Sequence, residues 1–117
     1  MNHDDIRAFA ASWIQYAEHS QAQSTLWDLC RRDPERAWTI IEAIYQQQPN
    51  GEVLGQLAAG PLEDLLSQHG EQFIERVERL GYADERFIRV LTALWQQKMS
   101  DEIWQRIQRV IRRWTAA

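Results

Sequence analysis

Metal binding and thiol chemistry would have to come from three histidines and one cysteine, and their spacing suits neither. His3, His19 and His69 lie on three separate segments with no H-x-x-x-H or H-E-x-x-H pair, and Cys30 is the lone cysteine. A metal needs three or four converging ligands, so no metal site is expected. His69 falls within the apolar sector of its own helix, near the end where a cation is favoured, and reads as a satisfied structural histidine. A pocket around it is the place to look if the chain is a small enzyme. Cys30 sits beside Arg31 and Arg32, neighbours that favour a thiolate, but no histidine is close in sequence to act with it. A half-buried, inert cysteine is the expectation.

Acid and base work asks for paired carboxylates. Glu63 and Asp64 are adjacent, so on a helix they point about 100° apart and form no ready pair. Glu71, Glu75 and Glu78 share a face, yet Glu75 is followed by Arg79 at i+4, as Glu85 is by Arg89 and Glu102 by Arg106. Those are surface pairs worth about 0.2 to 0.5 kcal/mol each. The sequence holds no Gly-rich phosphate loop, nucleophile elbow or cofactor fingerprint, so no catalytic residue and no cofactor is assigned. Arg106, Arg109 and Arg113 recur at i, i+3 and i+7 on one polar face near the C-terminus, with Arg112 beside them. Arginine suits phosphate, which makes this face the candidate for nucleic acid, although cations in a last turn also answer the helix dipole.

The elements that position these residues are all helical. Leu54, Leu57, Ala58, Pro61, Leu62 and Leu65 fall in one sector at about 100° per residue, with Leu66 at its edge and Glu52, Gln56, Glu63 and Ser67 roughly opposite. That phase predicts one central helix over residues 52 to 68, kinked at Pro61, in preference to two short helices. Gly55 lies on its buried side, where a missing side chain would admit a neighbour. His69-Gly70 is expected to close it with a left-handed glycine.

Upstream, Ile6, Phe9, Ala10, Trp13 and Ala17 make one stripe between Asn2 and Ser20, with Asn2 or Asp4 as its cap. Leu26, Leu29 and Cys30 make a shorter one, with Trp27 at its exposed margin. Asp33-Pro34 starts the helix of Ala37, Trp38, Ile40, Ile41, Ile44 and Tyr45. Downstream, Phe73, Ile74, Val77 and Leu80 run to Gly81. Asp84 caps Phe87, Ile88, Leu91, Leu94 and Trp95, and Ser100 caps Ile103, Trp104, Ile107, Val110, Ile111 and Trp114. No stretch alternates with period two. The fold class is therefore all-α: about six to seven amphipathic helices, mostly antiparallel neighbours, in a single domain over 1–117.

At 117 residues, 44% hydrophobic and 26% charged, the chain can hold a core without staples and is not disordered. No apolar run approaches the roughly 20 residues of a membrane span. The N-terminus is acidic where a signal peptide would be basic, so a cytoplasmic location is expected. The net charge of -4 divides unevenly: residues 1 to 70 carry 4 Lys/Arg against 10 Asp/Glu, the remainder 9 against 7. Six tryptophans in so short a chain imply an aromatic core or an aromatic docking surface.

The run Ala58-Ala59-Gly60-Pro61-Leu62-Glu63-Asp64-Leu65-Leu66, with His69-Gly70, Phe73-Ile74, Val77-Glu78, Phe87, Leu91, Trp95 and Ser100-Asp101-Glu102 followed by Trp104, resembles a family of small bacterial proteins catalogued only as a domain of unknown function. Ala37-Trp38 and Ile41 through Ile44 extend the likeness to about residues 35 to 110. The resemblance implies a bacterial, cytoplasmic, helical domain and carries no site residue with it. Composition and charge favour a non-enzymatic protein-interaction domain, such as an immunity-type inhibitor that covers another protein, with Trp27, Asp28, Glu63 and Asp64 as its face. The alternative is a nucleic-acid or regulatory module using Arg106, Arg109 and Arg113. A protein partner is expected, and a homodimer is compatible with either reading.

Overall fold

Side-chain caps decide where the helices begin. The computed structural model describes residues 2–15 and 21–115, so the expectations for Ala17, His19 and Ser20 lie outside the described residues. Helix α1 is His3–Gln15, and the Asp5 N–H donates to Asn2 Oδ1 at 2.8 Å. Helix α2 is Gln21–Arg32. Helix α3, Pro34–Gln46, starts where Asp33 accepts from the Arg36 N–H with proline in the first turn. Asn50 accepts from the Val53 N–H at 2.9 Å to open α4, Gly51–Leu57. After α5, Glu63–Ala83, Asp84 caps a 3₁₀ turn, Glu85–Phe87, that leads into α6, Ile88–Thr92. Ser100 Oγ accepts from the Ile103 N–H at 3.2 Å to start α7, Asp101–Thr115. Each such oxygen serves an N–H that the helix itself leaves unpaired, and losing one costs about 1 kcal/mol.

Between α4 and α5 the helix does not break. Ala58–Leu62 forms a π turn with Pro61 inside it, and the Glu63 N–H reaches the Ala58 carbonyl, five residues back. A wider turn is one way to accommodate a residue that lacks an N–H and crowds the carbonyl behind it. The central helix of residues 52 to 68 is thus one continuous rod, but its phase slips at the turn. Residues beyond the turn are rotated by about one position, roughly 100°, from an unbroken α-helix. Leu66, expected at the edge, is 1% exposed, and Glu63, expected opposite the apolar face, is 7% exposed.

Three glycine and helix-end expectations are corrected. No glycine has positive φ, so Gly70 is not a left-handed stop. The rod bends at His69, with φ -136° and ψ 35°, and α5 continues to Ala83. Gly70 is small because α7 passes close: an added Cβ would lie 3.1 Å from Ile103 Cγ1. At Gly55, by contrast, an added Cβ meets nothing within 4 Å, so no neighbour uses the gap. The α6 helix ends at Thr92 and leaves Trp95 71% exposed on the loop before α7.

α1 packs on α3, α2 on α3 and α5, α4 on α6, and α5 lies along α7. Among the described residues there is no strand, and the architecture is all-α. The core joins Trp13, Leu26, Ile40, Ile41, Ile44, Leu57, Leu62, Leu65, Phe73, Phe87 and Ile107, most of them fully buried. Each Leu, Ile or Phe there contributes about 1.5 to 3 kcal/mol by leaving water. The Cα radius of gyration, 13.4 Å, is that of a compact chain of this length.

Candidate functional site: a cleft at the π turn

The residues that flank the π turn also line the cleft of most interest. It holds about 510 Å³ and is bounded by Trp27 and Arg31 of α2, Ala59 and Gly60 of the turn, Glu63, Asp64, Ser67 and Gln68 of α5, and Gln97 and Lys98 of the following loop. π turns inside α-helices occur often at functional sites. Here the turn opens a floor at Gly60, where an added Cβ would meet no atom within 4 Å.

Glu63 is turned inward by the phase slip, and its Oε2 accepts from the Trp95 backbone N–H at 3.1 Å. This bond fastens the 93–100 loop to the rod, with Gln97 at φ 47°. Asp64 follows it, with Oδ1 accepting from Gln68 Nε2 at 2.7 Å. Asp64 Oδ2 and Ser67 Oγ are buried and have no partner. Across the cleft the Arg31 guanidinium lies 4.8 Å from the centre of the Trp27 ring, a cation–π arrangement. Trp27 is 52% exposed, as its marginal position predicts, but it is not the most exposed tryptophan, since Trp95 is 71% exposed.

Cys30 lies behind this wall, fully buried. Its thiol donates to the Pro61 carbonyl at 3.4 Å. Burial, and secondarily the Asp64 carboxylate, pushes it up to about 12. The flanking arginines do not lower it, because Arg31 is turned onto Trp27 and Arg32 pairs with Asp28 at 3.2 Å. Cys30 is fully, not half, buried.

The structure brings Trp27, Glu63 and Asp64 together as one cleft. Asp28 stands apart, engaged with Arg32 along the helix surface. The basic triplet is divided too. Arg106 grips Glu78, with Nε at 2.9 Å from Oε2 and a second contact to Oε1, and that hydrogen bond raises the arginine further. Arg109 shares its surface recess with Glu78, Asp101 and Glu102, and Arg113 is exposed on the last turn. Arg106 therefore pairs across helices, in place of the i+4 pair with Glu102. His69 is not the satisfied histidine expected: it is partly buried with Nε2 unpartnered, and it does not line the cleft.

Sequence reasoning missed the inward turn of Glu63, the loop it holds and the exposure of Trp95. The one signal for them was Pro61 in mid-helix. Among the described residues, no three His, Cys, Asp or Glu converge as metal ligands, and no helix is long and apolar enough to cross a membrane. No curated protein and no solved structure matches the chain. A family model does match, over residues 9–115, and by that match the chain belongs to a family of unknown function, DUF6869.

Proposed function

We propose that this chain is a non-enzymatic protein-interaction domain whose working surface is the cleft at the π turn. The observation that carries the reading is a pair of exposed indoles, Trp27 at 52% in the cleft wall and Trp95 at 71% on the loop whose backbone is bonded to that wall. Exposed tryptophan next to a concave, charged surface is the composition of a binding hot spot. The backbone at Trp95 is also held in place, since its N–H is bonded to Glu63 in the cleft wall. An indole presented on a fixed loop loses little freedom when a partner covers it.

A small acidic chain, net -4, suits a partner with a basic face, and an immunity-type inhibitor of another bacterial protein is the specific form we favour. The nucleic-acid alternative has less support, because Arg106 is engaged with Glu78 and Arg109 lines the same recess as Glu78, Asp101 and Glu102. The test is cross-linked capture with the full chain in its source cells. We expect one stoichiometric partner with the wild type and its loss with Trp27→Ser and Trp95→Ser together. Equal capture by both chains, or none by either, would overturn the reading.

A further inference from the structure

We infer that the cleft at the π turn receives an arginine side chain of the partner protein, one that stands next to a carboxylate of that partner. The inference rests on the interaction-domain reading and specifies the chemistry of the occupant.

Charge in the cleft is layered. The carboxylate of Glu63 lies deep, in a residue only 7% exposed, whereas Arg31 and Lys98 are exposed at the mouth. Glu63 accepts one hydrogen bond, from Trp95, although a carboxylate has room for about four. Asp64 Oδ2, a buried acceptor on the next residue, and the Ser67 hydroxyl one turn further, which can accept or donate, have no partner. Unpaired groups of this kind are uncommon in folded proteins and destabilise until a donor arrives. A guanidinium brings five N–H groups in a flat fork, which suits several acceptors on one wall better than the compact ammonium of lysine.

Trp27 supplies a flat face for such a group. Arg31 already rests on this ring at 4.8 Å, so the indole holds a guanidinium in the free protein, and a ring has two faces. Asp64 Oδ2 and Ser67 Oγ are closed off from solvent, so an entering group reaches them only after a side-chain adjustment in the wall. Gln68, whose side-chain amide holds Asp64 Oδ1 at 2.7 Å, is an exposed side chain of that wall and can give way. The mouth then sets the neighbouring residue: Arg31 and Lys98 repel a second cation and attract a carboxylate. Gly60 leaves open space over the turn for the entering chain.

The experiment titrates the blocked peptide acetyl-Ala-Arg-Asp-Ala-amide into the full chain, followed by heteronuclear NMR. We expect saturable, concerted shifts of the Trp27 indole, the Gly60 amide and the Gln68 side-chain amide. Replacing the peptide arginine with citrulline should abolish them, and replacing its aspartate with lysine should weaken binding. Glu63→Gln with Asp64→Asn should weaken binding about tenfold or more, the loss of charged hydrogen bonds. The carboxamide introduced by E63Q can still accept from the Trp95 N–H, and unchanged amide dispersion would verify the fold of that variant.

Absence of saturable shifts, equal response to the citrulline peptide, or full binding by the double variant would overturn the inference. Equally tight binding of free L-arginine would also overturn it, by pointing to a small-molecule occupant. If the peptide fails while loss of the two tryptophans still abolishes capture, the arginine receptor falls and the interaction domain stands. A peptide that binds while capture is indifferent to those tryptophans overturns the interaction-domain reading instead.

Discussion

Adding one methyl group at Gly81 and at Gly55 should move stability in opposite directions. Both glycines lie in helices and neither has positive φ, so alanine at either gains about 0.5 to 1 kcal/mol of helix propensity. At Gly55 nothing lies within 4 Å of the new Cβ, and that gain stands alone. At Gly81 the Cβ would lie 2.6 Å from Val110 Cγ1 and 3.3 Å from Leu91 Cδ1. The near atom belongs to a β-branched residue with little rotamer freedom, on a helix packed against α5. Overpacking of this kind costs about 1 to 3 kcal/mol, so the net effect of Gly81→Ala is a loss of about 1 to 2 kcal/mol. The two variants should therefore differ by roughly 2 kcal/mol, or about 8 °C in Tm for a chain of this size. Thermal and urea unfolding followed by circular dichroism would measure both. Adding Val110→Ala should make Gly81→Ala less costly than it is alone, a coupling expected only of residues in contact. A Gly81→Ala chain as stable as Gly55→Ala would refute the close approach of α5 and α7.

Glu63→Ala leaves the Trp95 N–H without its acceptor and should cost about 1 to 3 kcal/mol, with faster hydrogen exchange across the 93–100 loop. Glu63→Gln, which can still accept, should cost less, and equal costs would show that the bond to Trp95 contributes little. For Cys30, the gap between 9.0 and about 12 predicts alkylation about a thousandfold slower in the folded chain than in urea at pH 8. Comparable rates would mean that the thiol is exposed. Tyr45 donates to Asp84 at 2.8 Å, and burial, then that bond, pushes it from 10.0 up to about 12. A raised pKa in the fold means stability present below pH 10 and lost as pH rises through about 12. Tyr45→Phe should cost about 1 kcal/mol at neutral pH and shrink the alkaline loss, as urea titrations at several pH values would show.

Legibility in the sequence followed how local the determinants were. Caps at Asp33, Asn2, Asp84 and Ser100 depend on residues within one turn, and the structure forms them. The leucines of the central rod were visible because burial of one face imposes a 3.6-residue period on whatever is there. That same period misplaced Glu63, since the π turn slips it by a residue, and nothing in the letters distinguishes a kink from a widened turn. Gly70 looked like a helix end because glycine marks many of them. Its reason is Ile103, thirty-three positions away, a contact no local pattern contains. Trp95 fitted the stripe ahead of it, but the bond to Glu63 belongs to a helix more than thirty residues earlier. Of the cleft, Trp27, Glu63 and Asp64 were visible as separate residues. Their convergence with Arg31 and Lys98 needed the fold.

The six tryptophans have a spectroscopic consequence. Trp13 and Trp38 are buried at 0% and 5% exposure, while Trp27 and Trp95 stand largely in water and Trp114 donates its indole N–H to the Gly81 carbonyl at 2.8 Å. Emission from the native chain is thus a sum of blue, shielded fluorophores and red, hydrated ones. Iodide should quench only the second population, and unfolding should merge the two. Any molecule that settles over the π turn would dim or blue-shift the red component and leave the interior emission untouched. The protein carries its own optical reporter of occupancy and of folding, with no label attached.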